Sequence, residues 1–282
     1  WVMTSPVYHD TRARAVNETW LRRCDHGQFF TSDHFKGEKL DDEGDVEAHY
    51  AASSRHGIKE LPLAGSGTNI SSSFVPYSTV FAGIPDSYDH LFFKSRFAFY
   101  YIYAKMRVDF DWYLKADDDS YIIVENLRKY LATLDPSKPY FLGFRLKKYL
   151  PHGYNGGGAG YVLSRAALHA FATRAFPNEA ACPDDRFEDV GIARCLASLG
   201  IFPHRTVNER GQQRFNTHTP DEVFQGFDGA DEWIVDAEVK GMDGIPDDLI
   251  SFHHLPPNQI RLFDVLLYRV KVHNSSTTVA PK

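Results

Sequence analysis

Residues 112–121, W-Y-L-K-A-D-D-D-S-Y, constrain this chain more than any other stretch. The aromatic and apolar start predicts a buried strand that ends at Lys115 and Ala116. Three adjacent carboxylates follow, and because like charges repel more strongly when buried, something must compensate them. A hard divalent cation, bound through carboxylate and phosphate oxygens, is the usual compensator. The alternative is a solvated acidic turn in which Asp119 and Ser120 cap the next helix.

The pattern around this segment indicates an α/β fold. A helix with a shared apolar face over 91–106 leads directly into the 112–116 strand, an order typical of α/β architecture. The carboxyl end of a strand in such a sheet is where these folds bind ligands. Further strands are predicted at 2–3, 28–30, 140–144, 161–163 and 249–252, and further helices at 11–23, 124–134, from 164, from 188 and at 258–270.

The length of 282 residues suits one large domain with a substantial core. We expect one domain over 1–273, with a variable insertion at 34–85 that holds one more strand, and a disordered tail at 274–282. Residues 226–248 are acidic and contain glycine, which predicts a loop.

Charge and hydropathy exclude two classes of protein. The formal net charge of -6 and the lack of a basic tract argue against a general nucleic-acid binder. This charge is compatible with an anionic ligand, because a bound metal can supply positive charge locally. No stretch approaches the roughly 18–20 apolar residues of a membrane span. The chain opens on Trp1 without a signal peptide, so we expect it to be a portion of a longer protein.

The three cysteines leave two interpretations open. N-x-S/T sequons at Asn17, Asn69 and Asn274 favour a secretory route only weakly. On that route Cys182 and Cys195 would form a disulfide, with Cys24 unpaired or bonded to something outside the chain. The other interpretation is three reduced, buried thiols.

Three further motifs are candidates for a functional site. Residues 153–160 contain five glycines, which allow a ligand to approach the backbone closely, although a plain flexible turn is the alternative. They form neither a P-loop nor a dinucleotide fingerprint. Glu188 and Asp189 open a helix, where the dipole alone favours acidic residues. His253 and His254 end the last predicted strand.

In order and spacing, these motifs resemble the inverting β1,3-glycosyltransferases, the group of the fringe-type enzymes and the β1,3-galactosyltransferases. Within that family the chain is most similar to the core 1 type, which adds galactose to GalNAc-Ser/Thr. The segments that carry the resemblance are W-V-M-T at the start, T-W-L-R-R-C at 19–24, D-W-Y-L-K-A-D-D-D-S-Y at 111–121, G-Y-N-G-G-G-A-G-Y-V-L-S-R at 153–165, F-E-D-V-G-I-A-R-C at 187–195 and S-F-H-H at 251–254.

The resemblance implies a GT-A-like single domain with a mixed, mostly parallel central sheet flanked by helices. It also implies that Asp117 and Asp119 hold Mn²⁺ against the diphosphate of a UDP-sugar, with His253 as a further ligand. Mixed carboxylate and imidazole ligation suits Mn²⁺ better than Ca²⁺. His254 is expected to be a structural residue or to contact a ligand of the metal. Asp189 falls at the position of the general base.

The same resemblance implies looser roles around these residues. Thr4, Asp89 and Lys94 match places where the family meets the nucleotide. The residues expected to bind donor or acceptor also include Asp118, Gly157, Gly158, Tyr161 and Glu188.

As a function, the resemblance implies transfer of galactose from UDP-galactose to O3 of GalNAc-O-Ser/Thr on glycoproteins. The expected setting is the Golgi lumen, as the soluble part of a type II membrane protein and homodimer whose anchor lies outside this chain. Cys182 and Cys195 match family cysteines, which favours the disulfide, and the partner of Cys24 would precede Trp1.

The chain also departs from the family pattern. The family has a paired-cysteine segment before S-F-H, whereas residues 245–248 here are I-P-D-D. Two alternatives therefore stay open. One is a relative that uses another UDP-sugar or acceptor, and the other is a non-catalytic folding partner.

Overall fold

Among the residues that the structure describes, seven strands form one mixed central sheet. The computed structural model describes residues 1–32, 77–106, 110–227 and 229–271. The strands of the described residues are β1 Val2–Met3, β2 Phe29–Phe30, β3 Tyr77–Ser78, β4 Trp112–Asp117, β5 Tyr121–Ile122, β6 Phe141–Leu142, β7 Arg145–Leu146, β8 Tyr154–Asn155, β9 Tyr161–Ser164, β10 Pro203–His204 and β11 Ser251–Phe252. The order in the sheet is β10-β6-β9-β4-β1-β2-β3.

The pairing in this sheet is parallel except at β9. Strand β1 runs parallel to both β2 and β4, and β10 runs parallel to β6. Strand β9 is antiparallel to β4 and to β6. The predicted α/β class with a mixed, mostly parallel sheet is therefore confirmed.

Helices cover both faces of the sheet. They are α1 Arg14–Glu18, α2 Leu91–Tyr101, α3 Val124–Leu131, α4 Arg165–Ala170, α5 Glu188–Ala197, α6 Pro220–Gln225, α7 Ala230–Trp233 and α8 Pro257–Tyr268. Consecutive strand residues point to opposite faces, and Phe29 and Phe30 of β2 accordingly belong to two separate apolar cores. Phe29 packs in the core of Trp20 and Ile122, and Phe30 packs in that of Phe99.

Most predicted elements form, with differences at their ends. Ser164 caps α4 as predicted, since its side chain accepts a hydrogen bond from Ala167 N. The predicted 11–23 helix is interrupted at Thr19, whose φ of -118° and ψ of -108° are not helical. Strand β4 continues through Asp117, beyond the predicted end, because β1 pairs with it up to that residue.

One further expectation needs correction, and two others lie wholly or partly outside the described residues. The predicted 226–248 loop contains the short helix α7 and a 3₁₀ turn at Gly241–Gly244. The last predicted strand, β11, does not join the main sheet but pairs with β5 in an antiparallel ribbon. Of the predicted insertion, β3 is described, whereas residues 34–76, and the tail at 274–282, lie outside the described residues.

Of the two interpretations of the cysteines, the structure has the one with a disulfide. Cys182 and Cys195 form a disulfide, and Cys24 is free and half-buried. Within the described ranges, every helix is too short or too polar to cross a bilayer.

Candidate active site

The end of β4 delivers the acidic segment to the end of β1. Met3 pairs with Asp117 in the parallel ladder, so the next residues of the two strands meet. The hydroxyl of Thr4 donates a hydrogen bond to Asp118 Oδ2 at 2.6 Å. The guanidinium of Arg12, on the helical segment after β1, lies 3.4 Å from Asp118 and 3.3 Å from Asp119. Sequence reasoning missed Arg12, and no local pattern marks it.

The β5–β11 ribbon brings a histidine to the same place. Phe252 pairs with Tyr121, which sets His253 beside the residues that precede β5. Nε2 of His253 lies 3.1 Å from Asp119 Oδ1 and 4.0 Å from Asp117 Oδ2. On the other side of the ring, Nδ1 lies 3.4 Å from the carbonyl oxygen of Thr217. A carbonyl at Nδ1 leaves Nε2 to face the carboxylates.

Burial and neighbouring charges act on the pKa values of these groups in opposite ways. Burial raises the pKa of Asp118 to about 7, and the charge of Asp119 adds to this, although the Thr4 hydrogen bond opposes it. Burial would also raise the pKa of Asp119, but the hydrogen bond and charge of His253 hold it below its usual value. Burial would lower the pKa of His253, and Asp119 instead raises it. Nearby positive charge thus stabilises the ionised acidic segment.

Lys115, which sequence reasoning did not single out, joins the two acidic motifs. Its side chain is only 2% exposed, and its Nζ lies 2.6 Å from Asp117 Oδ1 and 3.7 Å from Glu188 Oε2. Burial alone would lower the pKa of Lys115, but these two carboxylates raise it above its usual value. A lysine within a strand of otherwise apolar residues was the signal that could have identified it.

Glu188 and Tyr161 complete this buried network. The hydroxyl of Tyr161 donates a hydrogen bond to Glu188 Oε1 at 2.7 Å. Burial, together with the negative charge of Glu188, raises the pKa of Tyr161 well above its usual value. Because Tyr161 is fully buried, it contacts the site through Glu188 and presents no exposed surface of its own.

Asp189 lies at the start of α5, next to Glu188 but more exposed. Its carboxylate accepts hydrogen bonds from Gly157 N at 3.3 Å and from Val190 N at 2.9 Å. Burial raises the pKa of Asp189 to about 6, the charge of Glu188 adds to this, and the two backbone hydrogen bonds oppose it. A carboxylate with such a pKa can accept a proton near neutral pH.

The glycine-rich segment packs between the histidine and the acidic pair. A Cβ on Gly158 would lie 2.1 Å from the His253 ring, and a Cβ on Gly157 would lie 2.7 Å from Glu188 Oε2. Ser120 also donates a hydrogen bond to the Gly158 carbonyl oxygen at 2.8 Å. Glycine is therefore required at these two positions because a larger residue would collide with His253 or Glu188. A plain flexible turn, the alternative interpretation, does not explain this packing.

The residues predicted to meet the nucleotide occupy different surroundings. Lys94 is buried and forms an ion pair with Asp86, which also accepts a hydrogen bond from Ser5 in the turn beside Thr4. Asp89 is 74% exposed and lies 3.7 Å from Arg186, two residues before Glu188. Lys94 is thus linked through Asp86 to the end of β1, whereas Asp89 lies near the residues that precede α5.

Among the described residues, one group of side chains is spaced to hold a metal ion. One ligand atom each from Asp119, His253 and His254 lies within 4.8 Å of the others. The predicted ligands Asp119 and His253 belong to this group, together with His254. Asp117 lies beside the group, with one oxygen held by Lys115. Carboxylate and imidazole donors together fit a divalent transition-metal ion.

A cavity of about 440 Å³ lies elsewhere, at the amino-terminal end of β4. It is mainly apolar and is lined by residues such as Trp1, Trp20, Trp112 and Leu127. None of the predicted site residues lines this cavity, so the cavity is not a candidate for the active site. The candidate active site is the polar junction at the other end of β4.

Comparison with known proteins shows the family of this chain. A model of the Fringe-like family matches residues 1–207, which is most of the chain and includes the acidic segment, the glycines and Asp189. The chain belongs to the Fringe-like family. It is therefore a glycosyltransferase-family domain. The match ends at residue 207, so it does not include His253.

Individual relatives of this Fringe-like chain include two named as sugar transferases and one named as a chondroitin sulfate synthase. A glycoprotein-N-acetylgalactosamine 3-beta-galactosyltransferase 1 of Xenopus laevis is 27% identical over 97% of this chain and 66% of its own length. A chondroitin sulfate synthase 3 of Homo sapiens is 27% identical over 71% of the chain and 20% of its own length. A beta-1,3-glucosyltransferase of Mus musculus is 35% identical over 32% of the chain and 18% of its own length.

Proposed function

We propose that this domain is a Mn²⁺-dependent inverting β1,3-glycosyltransferase that moves galactose from UDP-galactose to O3 of GalNAc-O-Ser/Thr on glycoproteins. The observation that carries the proposal is that two groups of side chains flank Gly157 and Gly158. Asp119 and His253 lie on one side of these glycines, and Asp189 lies on the other. The first group suits a metal and a diphosphate, and the second is a carboxylate whose pKa suits a general base. The galactosyltransferase relative, which aligns along 97% of the chain, supports the donor and acceptor.

The donor would bind at the ends of β1 and β4. Asp119 and His253 would hold the metal, with Asp117 beside them, and the bound ion would offset charge on the departing UDP as a Lewis acid. Arg12 is 35% exposed on its side chain and lies at the edge of the same cluster. Its guanidinium suits bidentate contact with a phosphate oxygen pair. Thr4 and Arg12 would orient Asp118 and the diphosphate.

Asp189 would act as the general base. It would accept the proton of the acceptor hydroxyl as that oxygen attacks the anomeric carbon from the face opposite the UDP. One displacement inverts the configuration, so an α-linked UDP-sugar gives a β-glycoside. Hydrogen bonds from Gly157 N and Val190 N fix the carboxylate that takes the proton.

An exposed group of aromatic side chains beside Asp189 supports a carbohydrate acceptor. Phe187, which immediately precedes the acidic pair, is 42% exposed and stacks on Tyr149 at a centroid distance of 5.3 Å. Tyr149 in turn lies 5.6 Å from the ring of Trp233. Exposed aromatic faces offer apolar surface to a sugar ring while leaving its hydroxyls free. This group and Trp233 would bind the acceptor.

The resemblance to the core 1 type enzymes also supports a proposal for the cellular location and assembly of the protein. We place the domain in the Golgi lumen, as part of a type II membrane protein that forms a homodimer. The disulfide between Cys182 and Cys195 is consistent with an oxidising compartment.

The proposal is tested by measuring UDP release from a panel of UDP-sugars, with and without Mn²⁺, in the presence of a GalNAc-Ser/Thr peptide. We expect metal-dependent release from UDP-galactose that rises when the peptide is added. Release from another UDP-sugar, or with another acceptor, would keep the mechanism and change the substrate. A folded protein that releases no UDP from any donor would contradict catalysis and favour a non-catalytic folding partner.

A further inference from the structure

We propose that His254 is the third protein ligand of the cation at this site, in a set of one carboxylate and two imidazoles with Asp119 and His253. The inference rests on the proposed metal-dependent function and concerns the same site. It differs from the sequence-based expectation, in which His254 was structural or contacted a ligand.

The first support is the spacing of the ligand atoms. One atom each from Asp119, His253 and His254 falls within 4.8 Å of the other two. Metal–ligand bonds of roughly 2.0–2.6 Å give a coordination shell about 4–5 Å wide. The three side chains can thus share one ion without moving an element of the fold. Three protein ligands also leave positions open for phosphate oxygens.

The second support is the backbone of His254. Adjacent residues of an extended chain point to opposite sides, which would separate two neighbouring imidazoles. His254 has φ of 58°, the only positive φ outside glycine among the residues that the structure describes. As a result the rings of His253 and His254 lie side by side, with centroids 3.8 Å apart. A left-handed conformation costs free energy in a residue with a Cβ, and such strain is typical of ligand sites.

Hydrogen bonds on both sides of His254 hold this conformation. Leu255 N donates to the carbonyl oxygen of Asp119 at 2.9 Å, and His253 N donates to the carbonyl oxygen of His218 at 3.3 Å. The turn is thereby tied directly to the acidic residue with which His254 would share the ion. Leu255 is buried, so the turn is anchored on its far side as well.

Asp117 is less well placed than His254 for this role. Its Oδ1 lies 2.6 Å from Lys115 Nζ, an interaction that a metal ion would compete with. Its other oxygen is 4.0 Å from His253 Nε2, compared with 3.1 Å for Asp119.

A set with two imidazoles also has a chemical consequence, because nitrogen ligands favour Mn²⁺, Co²⁺ or Zn²⁺ over Mg²⁺ and Ca²⁺.

The test measures Mn²⁺ binding to the whole domain in the presence of UDP, by the loss of the free-ion electron paramagnetic resonance signal. The variant is His254→Asn, because asparagine tolerates the left-handed conformation but lacks the imidazole. We expect the Kd for Mn²⁺ to rise roughly 10–100-fold, the range seen for residues that support metal ligands. His152→Asn, at an exposed histidine that packs on Phe202 and is not among the three side chains spaced for a metal, is the matched control and should leave the Kd unchanged.

A second readout counts the nitrogens on the ion. Spin-echo modulation of the bound Mn²⁺ should show two coordinated imidazoles in the unaltered protein and one in His254→Asn. One imidazole in both, with equal Kd values, would overturn the inference while leaving the proposed function intact. A lack of Mn²⁺ binding by the unaltered protein would overturn both. Thermal melting in EDTA checks that the variant is folded.

Discussion

Oδ1 of Asp119 lies 3.1 Å from Nε2 of His253. Asp119 lies two residues before β5 and His253 directly follows β11, and these two strands pair in a ribbon outside the main sheet. This ribbon therefore brings His253 to Asp119, which itself follows β4 of the main sheet. The main sheet contributes the neighbouring Asp117 through β4, whereas α5, which carries Asp189, packs against β8 of the separate β7–β8 pair.

Asp119→Ala should abolish metal-dependent donor binding, because it removes the carboxylate that faces His253. We expect the affinity for UDP in the presence of Mn²⁺ to fall at least about 10–100-fold, measured by titration calorimetry. Asp111→Ala, at a mostly exposed surface ion pair with Arg165, is the control and should bind UDP normally. Unchanged binding by Asp119→Ala would remove Asp119 from the metal site.

Asp189→Asn should separate binding from catalysis. The amide keeps the shape of the side chain but cannot accept the acceptor proton, so turnover should fall roughly 10²–10⁴-fold. Donor affinity should stay near normal, since Asp189 lies across the glycines from the metal ligands. Steady-state rates and UDP titration measure the two effects. A variant that turns over at the normal rate would refute the role of Asp189 as base.

The pH dependence of the rate should report the same residue. Asp189 has a pKa raised to about 6 by burial, and only its deprotonated form accepts a proton. Activity should therefore be lost as the pH falls through about 6 and should level off above it. The comparison is kcat/KM against pH at saturating Mn²⁺. In Asp189→Asn the residual rate should lack this acid limb, and an identical limb in the variant would assign it to another group.

Lys115→Met should destabilise the fold strongly. The substitution leaves Asp117 and Glu188 without the buried cation that they share. Removing one partner of a buried ion pair costs about 3–5 kcal/mol in the free energy of unfolding. Urea unfolding followed by circular dichroism measures the loss. Lys138→Met, at an exposed lysine, should change it by less than about 0.5 kcal/mol. Equal effects would show that the buried network contributes little stability.

The disulfide should also stabilise the fold. Cys182 and Cys195 close a loop with a sequence separation of 13, for which the lost entropy of the unfolded chain corresponds to about 3 kcal/mol. The double variant Cys182→Ala, Cys195→Ala should melt at a lower temperature in differential scanning calorimetry. The free cysteine provides the comparison, because Cys24→Ala leaves the cross-link intact. Equal melting curves for the double variant and the unaltered protein would contradict the prediction.

The sequence alone determined the fold class and the chemical character of the site. Apolar runs of strand length and helical periodicity are local, so β4, α2 and the capping of α4 by Ser164 follow from neighbouring residues. The three aspartates directly after an apolar strand are likewise a local pattern. Their crowding requires a compensating positive charge wherever the strand lies.

Only the tertiary structure decided which groups supply that charge. Lys115 and Arg12 meet the carboxylates because β1, β4 and α5 pack together, and His253 meets Asp119 because β11 pairs with β5. Such pairings depend on how distant segments compete to bury apolar surface, which no local spacing encodes. The left-handed turn at His254 is of the same kind. Contacts with the distant Asp119 and His218 hold a conformation that the local sequence disfavours.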